Sequence, residues 1–208
     1  MCKEKELLNI AMRISALAQT GLVYSESEYD TERYQEYLEL SHKITAIVSG
    51  NKLESIRDAF RIHDDYVTPM VDVRAVIFNE KGELLLVKER ADGLWALPGG
   101  WADVGFTPQE VAVKEVQEET GLNVRPVKLL AVLDKKCHDH PPHQHYVYKI
   151  FIRCEVIDGD FTEAFDILGK DFFPQTKLPP LSTERNMPEQ IDLMFEFLND
   201  PDKRALVD

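Results

Sequence analysis

The chain has 208 residues, 44% of them hydrophobic, enough to bury a core as one large domain or as a medium domain with an appendage. Its formal charge of -13 and isoelectric point near 4.9 argue against a broad electrostatic grip on duplex nucleic acid or an anionic membrane. Small anionic substrates stay open, because a bound metal inverts the local field.

Cys2, Cys137 and Cys154 are widely spaced, odd in number and form no CxxC, so they read as reduced thiols. The first residues, MCKEKELLNIAMRIS, carry charge from Lys3 to Glu6 and no apolar core of a secretory signal. No apolar run approaches a membrane span. The expectation is a cytoplasmic protein with no membrane partner.

Leu7, Leu8, Ile10, Ala11, Ile14, Leu17 and Ala18 recur at helical spacing, and Gly21 reads as the stop of this first helix. After a polar connection from Tyr24 to Asp30, Tyr34, Tyr37, Leu38, Ser41, Ile44 and Ile47 mark a second helix ending at Gly50. A shorter helix is expected from Leu53 to Ile62. Residues 1–64 therefore read as an N-terminal helical domain too small to bury much alone. It either docks on its own chain or makes a homodimer, and the dimer is the preferred reading.

Residues 68–204 read as a second domain. Val71, Val73, Ala75 and Ile77 alternate, the turn Asn79-Glu80-Lys81-Gly82 follows, and Leu84 to Val87 completes what reads as a β-hairpin. Leu97-Pro98-Gly99-Gly100 allows close backbone approach to a ligand. A helix is expected from about Thr107, with Pro108 in its first turn and Gly121 as its stop. Val124 to Val132 and Tyr146 to Val156 read as strands, followed by an irregular segment through Phe173 and a closing helix from Pro188 with Ile191, Met194, Phe195 and Leu198 on one face.

The stretch from Gly99 to Leu122 carries the chemistry. Glu115, Glu118 and Glu119 fall at i, i+3 and i+4, one narrow side of a helix. Like charges at that spacing cost a few tenths of a kcal/mol per pair, roughly. A hard divalent cation such as Mg²⁺ or Mn²⁺ would remove the penalty, because those ions take oxygen ligands. Alone, the triplet could equally be an exposed acidic face.

With Gly100, Glu115, Val116, Glu118, Glu119, Gly121 and Leu122, the stretch resembles the signature of the Nudix hydrolases, G-x5-E-x7-R-E-U-x-E-E-x-G-U. Leu97-Pro98-Gly99-Gly100 looks like the usual approach to that box. Phe106 stands where the pattern has Glu, and Lys114 where it has Arg, so the resemblance implies that a supporting carboxylate–guanidinium contact is absent. Glu110, four residues before Lys114, is the expected helix partner of that lysine. Tyr29-Asp30, Thr68-Pro69, Gly100 to Gly105 and His140-Pro141-Pro142 resemble bacterial members with an N-terminal helical domain, associated with CDP-choline and ADP-ribose cleavage.

The resemblance implies an α+β fold, a mixed β-sheet sandwiched by helices with the helical N-terminal domain attached. It implies attack of water on a pyrophosphate phosphorus, splitting a nucleoside diphosphate linked to another group (NDP-X) into a nucleoside monophosphate and phosphoryl-X. Glu115, Glu118 and Glu119 would be metal ligands, joined by the Gly100 carbonyl, with Mg²⁺ or Mn²⁺ as cofactor. The general base would be Glu118, Glu119, or a loop acid, Glu163 or Asp166, each of which reads equally well as a solvated surface acid. Arg74, His145 and Lys149 are phosphate-binding candidates. Trp95, Trp101 and Phe106 could stack on a base, though aromatics near turns more often pack. Cys137, His138, His140, His143 and His145 admit a zinc reading, against which stand their spacing and the intervening prolines. Alternatives to NDP-X are RNA ends and a nucleotide-sensing protein without turnover.

Overall fold

The computed structural model describes residues 3–59, 67–141, 143 and 145–208. The chain forms two compact units, residues 1–69 with 142–146 and residues 70–141 with 147–208. No helix among the described residues is long and apolar enough to cross a membrane.

The first unit is helical: α1 (Lys3–Tyr24), α2 (Glu28–Ser49) and α3 (Leu53–Ala59). The end of the expected third helix, to Ile62, lies outside the described residues. Leu8, Ala11 and Ala18 of α1 and Leu38, Ser41 and Thr45 of α2 are buried. Gly50 ends α2 in the left-handed conformation, as its position suggested. Gly21 does not end α1, which runs on to Tyr24. A Cβ at Gly21 would lie 2.4 Å from the Tyr34 ring, so this glycine admits an aromatic side chain of α2 against the α1 backbone.

The second unit holds two sheets. One is mixed, in the order β4 (Gly99–Trp101), β1 (Met70–Val76), β6 (Val147–Asp158), β5 (Asn123–Asp134), β8 (Leu206–Val207). The other runs β3 (Trp95–Ala96), β2 (Leu84–Glu89), β7 (Ile167–Phe173). β1 is parallel to β6 and antiparallel to β4. The expected β1–β2 hairpin is therefore only a turn: Phe78 bridges Leu84, Leu85 N–H donates to Ile77, and the strands then diverge into different sheets. The segment read as irregular before Phe173 contains β7, which β2 orders by antiparallel pairing.

Alternation along β1 separates two cores. Val73, Ala75 and Ile77 join Val111, Ala112 and Val116 of α4 (Pro108–Thr120). Val76 and Phe78 join Ile191, Met194, Phe195 and Phe197 of α5 (Pro188–Asn199). The architecture is α+β, with a mixed sheet covered by helices and a helical N-terminal region.

Candidate active site

Helix α4 is set by its ends. Thr107 accepts the Glu110 N–H and Glu110 Oε2 accepts the Thr107 N–H at 2.8 Å, a reciprocal cap, with Pro108 in the first turn. Gly121 closes the helix in the left-handed conformation. With Val111, Ala112 and Val116 fixed in the core, Glu115, Glu118 and Glu119 face the β4 loop or solvent.

Glu119 is buried, and its Oε2 accepts the Gly99 N–H at 3.0 Å. Burial pushes its carboxyl up to about 8, against the pull of Arg74 and with the repulsion of Glu89. Glu115 rests against Gly100, where a Cβ would lie 3.1 Å from its Oε2. Burial raises its pKa as well. Glu118 points outward, its side chain 57% exposed. Gly99 has φ of 141° and stacks so tightly on β1 that a Cβ would meet the Val73 carbonyl oxygen at 2.0 Å.

The two departures from the signature touch each other. Lys114 Nζ lies 5.8 Å from the Phe106 ring centroid and donates to Asp103 Oδ2 at 3.2 Å. It also lies 3.7 Å from Glu118 and 3.9 Å from Glu115. A carboxylate–cation contact is thus present, supplied by Asp103 in place of position 106. The expected Glu110–Lys114 pair is not formed, because the capping box spends the Glu110 carboxylate on Thr107.

Arg74 and Lys149, expected as phosphate binders, are buried in a charge network with Asp72. Arg74 Nε donates to Asp72 Oδ1 at 2.9 Å and its Nη1 to the Leu97 carbonyl at 3.0 Å. Lys149 Nζ donates to Asp72 Oδ2. Burial pushes the Lys149 ammonium down to about 8, partly offset by Asp72. Burial also opposes ionisation of Asp72, but the Arg74 and Lys149 charges outweigh it and hold its carboxyl low. Neither cation presents its charge to solvent.

A second group lies beside it. Arg185 Nε pairs with Glu89 Oε1 at 2.9 Å, its Nη1 with Asp92 Oδ2 at 3.0 Å, and Ser182 donates to Asp92 at 2.7 Å. Glu89 acts electrostatically on both Arg74 and Glu119. Asn186 of the same segment accepts the Leu97 N–H. Sequence reasoning missed Asp72, Glu89, Arg185 and Asn186; the signal for Asp72 was an acid in an otherwise apolar strand beside Arg74.

Glu163 and Asp166 are exposed. Their segment is tied to the end of α4: Thr162 N–H donates to the Thr120 carbonyl at 3.0 Å, and Lys170 Nζ donates to the carbonyls of Glu119, at 2.8 Å, and Thr162. His145 belongs to the helical unit, where its N–H donates to His143 Nδ1. His138 bonds Asp208 and His140 bonds the Thr183 carbonyl, uses of the imidazoles other than zinc. Cys137 is free and exposed, Cys154 free and buried; Cys2 lies outside the described residues.

Among the described residues no three His, Cys, Asp or Glu side chains converge into a ready-made metal cage. The donors nevertheless suit a hard divalent ion. They are oxygens only: Glu115 lies against the bare Cα of Gly100, where a side chain would fill the space beside it, Glu119 bonds the Gly99 N–H, and Glu118 follows on the same helix face with its carboxylate exposed.

A family model described as NUDIX domain matches residues 68–191, and one described as UDP-X-like, N-terminal oligomerisation domain matches residues 5–60. A Bacillus subtilis (strain 168) protein named "Putative ADP-ribose pyrophosphatase YjhB" is 44% identical over 201 residues, 97% of this chain and 96% of that one. The crystal structure of an ADP-ribose pyrophosphatase from Streptococcus suis 89-1591 is 40% identical, with a TM-score of 0.62 over 68% of this chain and 100% of that chain. The crystal structure of a UDP-X diphosphatase is 30% identical, with a TM-score of 0.64 over 99% of each chain.

Proposed function

The chain belongs to the Nudix family and is a Nudix pyrophosphatase, and on that premise we propose that it hydrolyses NDP-X to a nucleoside monophosphate and phosphoryl-X. ADP-ribose and UDP-linked groups are the first substrates to test, after the names of its relatives. The observation that carries the reading is the Glu119 to Gly99 bond, which sets the carboxylate helix against the glycine loop.

Glu115, Glu118, Glu119 and the Gly100 carbonyl would hold Mg²⁺ or Mn²⁺. When bound, such ions neutralise the diphosphate and lower the pKa of the attacking water. The protein's own contribution is to place oxygen donors on one helix face and to fix the loop facing them. Glu163 and Asp166, on the segment that Lys170 ties to α4, are the base candidates outside the triplet. Arg74 and Lys149 support the loop from within, through Asp72 and Leu97, and do not contact phosphate in this reading.

Residues 1–64 and 68–204 are the proposed domains, the first a homodimerisation domain of a cytoplasmic protein. A monomer mass independent of concentration in sedimentation equilibrium would exclude the dimer. The substrate reading is tested with a panel of nucleoside diphosphate derivatives and Mg²⁺ or Mn²⁺, reading released monophosphate. Turnover of one class, abolished by chelation and by Glu119→Gln in folded protein, is the expected result. Silence across the panel would favour a sensing protein.

A further inference from the structure

The geometry points to Lys114 as a built-in counter-ion of the acidic helix face, one that competes with a divalent cation for Glu115 and Glu118 and so sets the affinity of the metal site. The inference rests on the proposed metal-dependent reading and concerns what this chain's own residues do to it. Lys114 Nζ stands 3.7 Å from Glu118 Oε2 and 3.9 Å from Glu115 Oε1, within ion-pair range of two of the three carboxylates. Those carboxylates repel one another along the helix. A single ammonium relieves that repulsion before any other cation arrives.

Lysine suits this duty differently from arginine. A guanidinium is a planar fork that commits two parallel bonds to one carboxylate, whereas an ammonium is a compact charge whose three donors can be shared among several. Here the sharing is visible. Asp103 Oδ2 draws the ammonium outward at 3.2 Å, while Glu115 and Glu118 draw it inward. Phe106 offers its ring face at 5.8 Å and supports the ammonium without adding a charge. A glutamate at position 106 would have added another negative charge near Lys114. The two departures from the signature therefore act together: a movable monovalent charge, and an uncharged surface beside it. Glu115 and Glu118 would hold a divalent ion only against the repulsion of this ammonium, which Asp103 is placed to take up.

Substitutions at Lys114 and at its partner Asp103 make opposite predictions. Lys114→Gln removes the competing charge, so Mn²⁺ alone, titrated without substrate and followed by electron paramagnetic resonance, binds about tenfold tighter. Asp103→Asn removes the outward pull, lets the ammonium settle on Glu115 and Glu118, and weakens Mn²⁺ binding. Lys114→Arg keeps the competing charge but not the sharing, so it binds Mn²⁺ more weakly than Lys114→Gln does. Circular dichroism at the same temperature establishes that each variant is folded. Weaker or unchanged Mn²⁺ binding in Lys114→Gln, or a shift of the same sign in Lys114→Gln and Asp103→Asn, would overturn the inference and leave Lys114 a support of the helix. Wild-type protein that binds no Mn²⁺ at millimolar concentration would overturn the metal reading itself, a result distinct from variants that bind but fail to separate.

Discussion

Asn186 Oδ1 accepts the backbone N–H of Leu97 at 2.9 Å, joining residues 89 apart in sequence. Arg74 holds the carbonyl of the same residue, so Leu97 is gripped at both ends two residues before Gly99. Asn186→Ala leaves a buried N–H without a partner and costs about 1–3 kcal/mol. Urea unfolding at pH 7 reads the loss.

The two glycines of the loop separate stability from chemistry. Gly99→Ala puts a Cβ 2.0 Å from the Val73 carbonyl at a positive φ, so β4 cannot stay on β1. The variant loses more than about 3 kcal/mol or fails to accumulate as soluble protein. The nearest atoms that Gly100→Ala meets are those of the Glu115 carboxylate, at 3.1–3.3 Å, which can yield. Its unfolding midpoint stays near that of the wild type, while its turnover falls by at least about tenfold, the equivalent of ~1.4 kcal/mol of barrier.

Asp72 and Lys149 differ in what each leaves behind. Asp72→Ala strands two buried cations side by side and costs about 3–5 kcal/mol. Lys149→Met leaves Asp72 paired with Arg74 and fills a similar volume, at about 1–2 kcal/mol. Equal losses in denaturant titration would contradict this account of the network.

His140 predicts the acid limb of stability. Burial holds its imidazole down to about 3, against the Thr183 carbonyl bond that favours protonation. Its native pKa lies below the unfolded value of 6.5, so between those values the unfolded chain takes up a proton that the folded chain refuses. The histidine's contribution to stability is therefore fully present above pH 6.5 and declines as pH falls toward 3. At pH 5 the loss reaches about 2 kcal/mol. His140→Asn keeps a donor for Thr183 and removes the titration. The difference in unfolding free energy between pH 7 and pH 5 should shrink by about that amount relative to the wild type.

What could be read from the sequence was whatever is encoded locally. The Glu115–Glu118–Glu119 spacing, the Thr107-Pro108 start and the Gly121 stop all belong to one helix, and the helix is there. Gly21 was misread because a glycine that admits a neighbouring ring and one that ends a helix look alike along the chain; only Tyr34, on another helix, tells them apart. The turn at Asn79 to Gly82 is real, but nothing local says that β1 and β2 part beyond it. β7 is ordered by its pairing with β2, and its Gly169-Lys170-Asp171 centre carries no alternation. At the site, Arg185 and Asn186 matter through partners near residue 90, a distance over which no periodic signal extends.

Strand β1 has Asp72 and Arg74 facing one way and Val73 and Ala75 the other, while β4 and β6 hold it in register on both edges. A single inserted residue would rotate the charges onto the α4 core and the aliphatic side chains into the charge network. The strand can be varied in small steps by substitution, but its length is fixed. Diversity in this protein is therefore best engineered by replacing residues of β1, and by changing length only in the exposed turn at Glu80-Lys81.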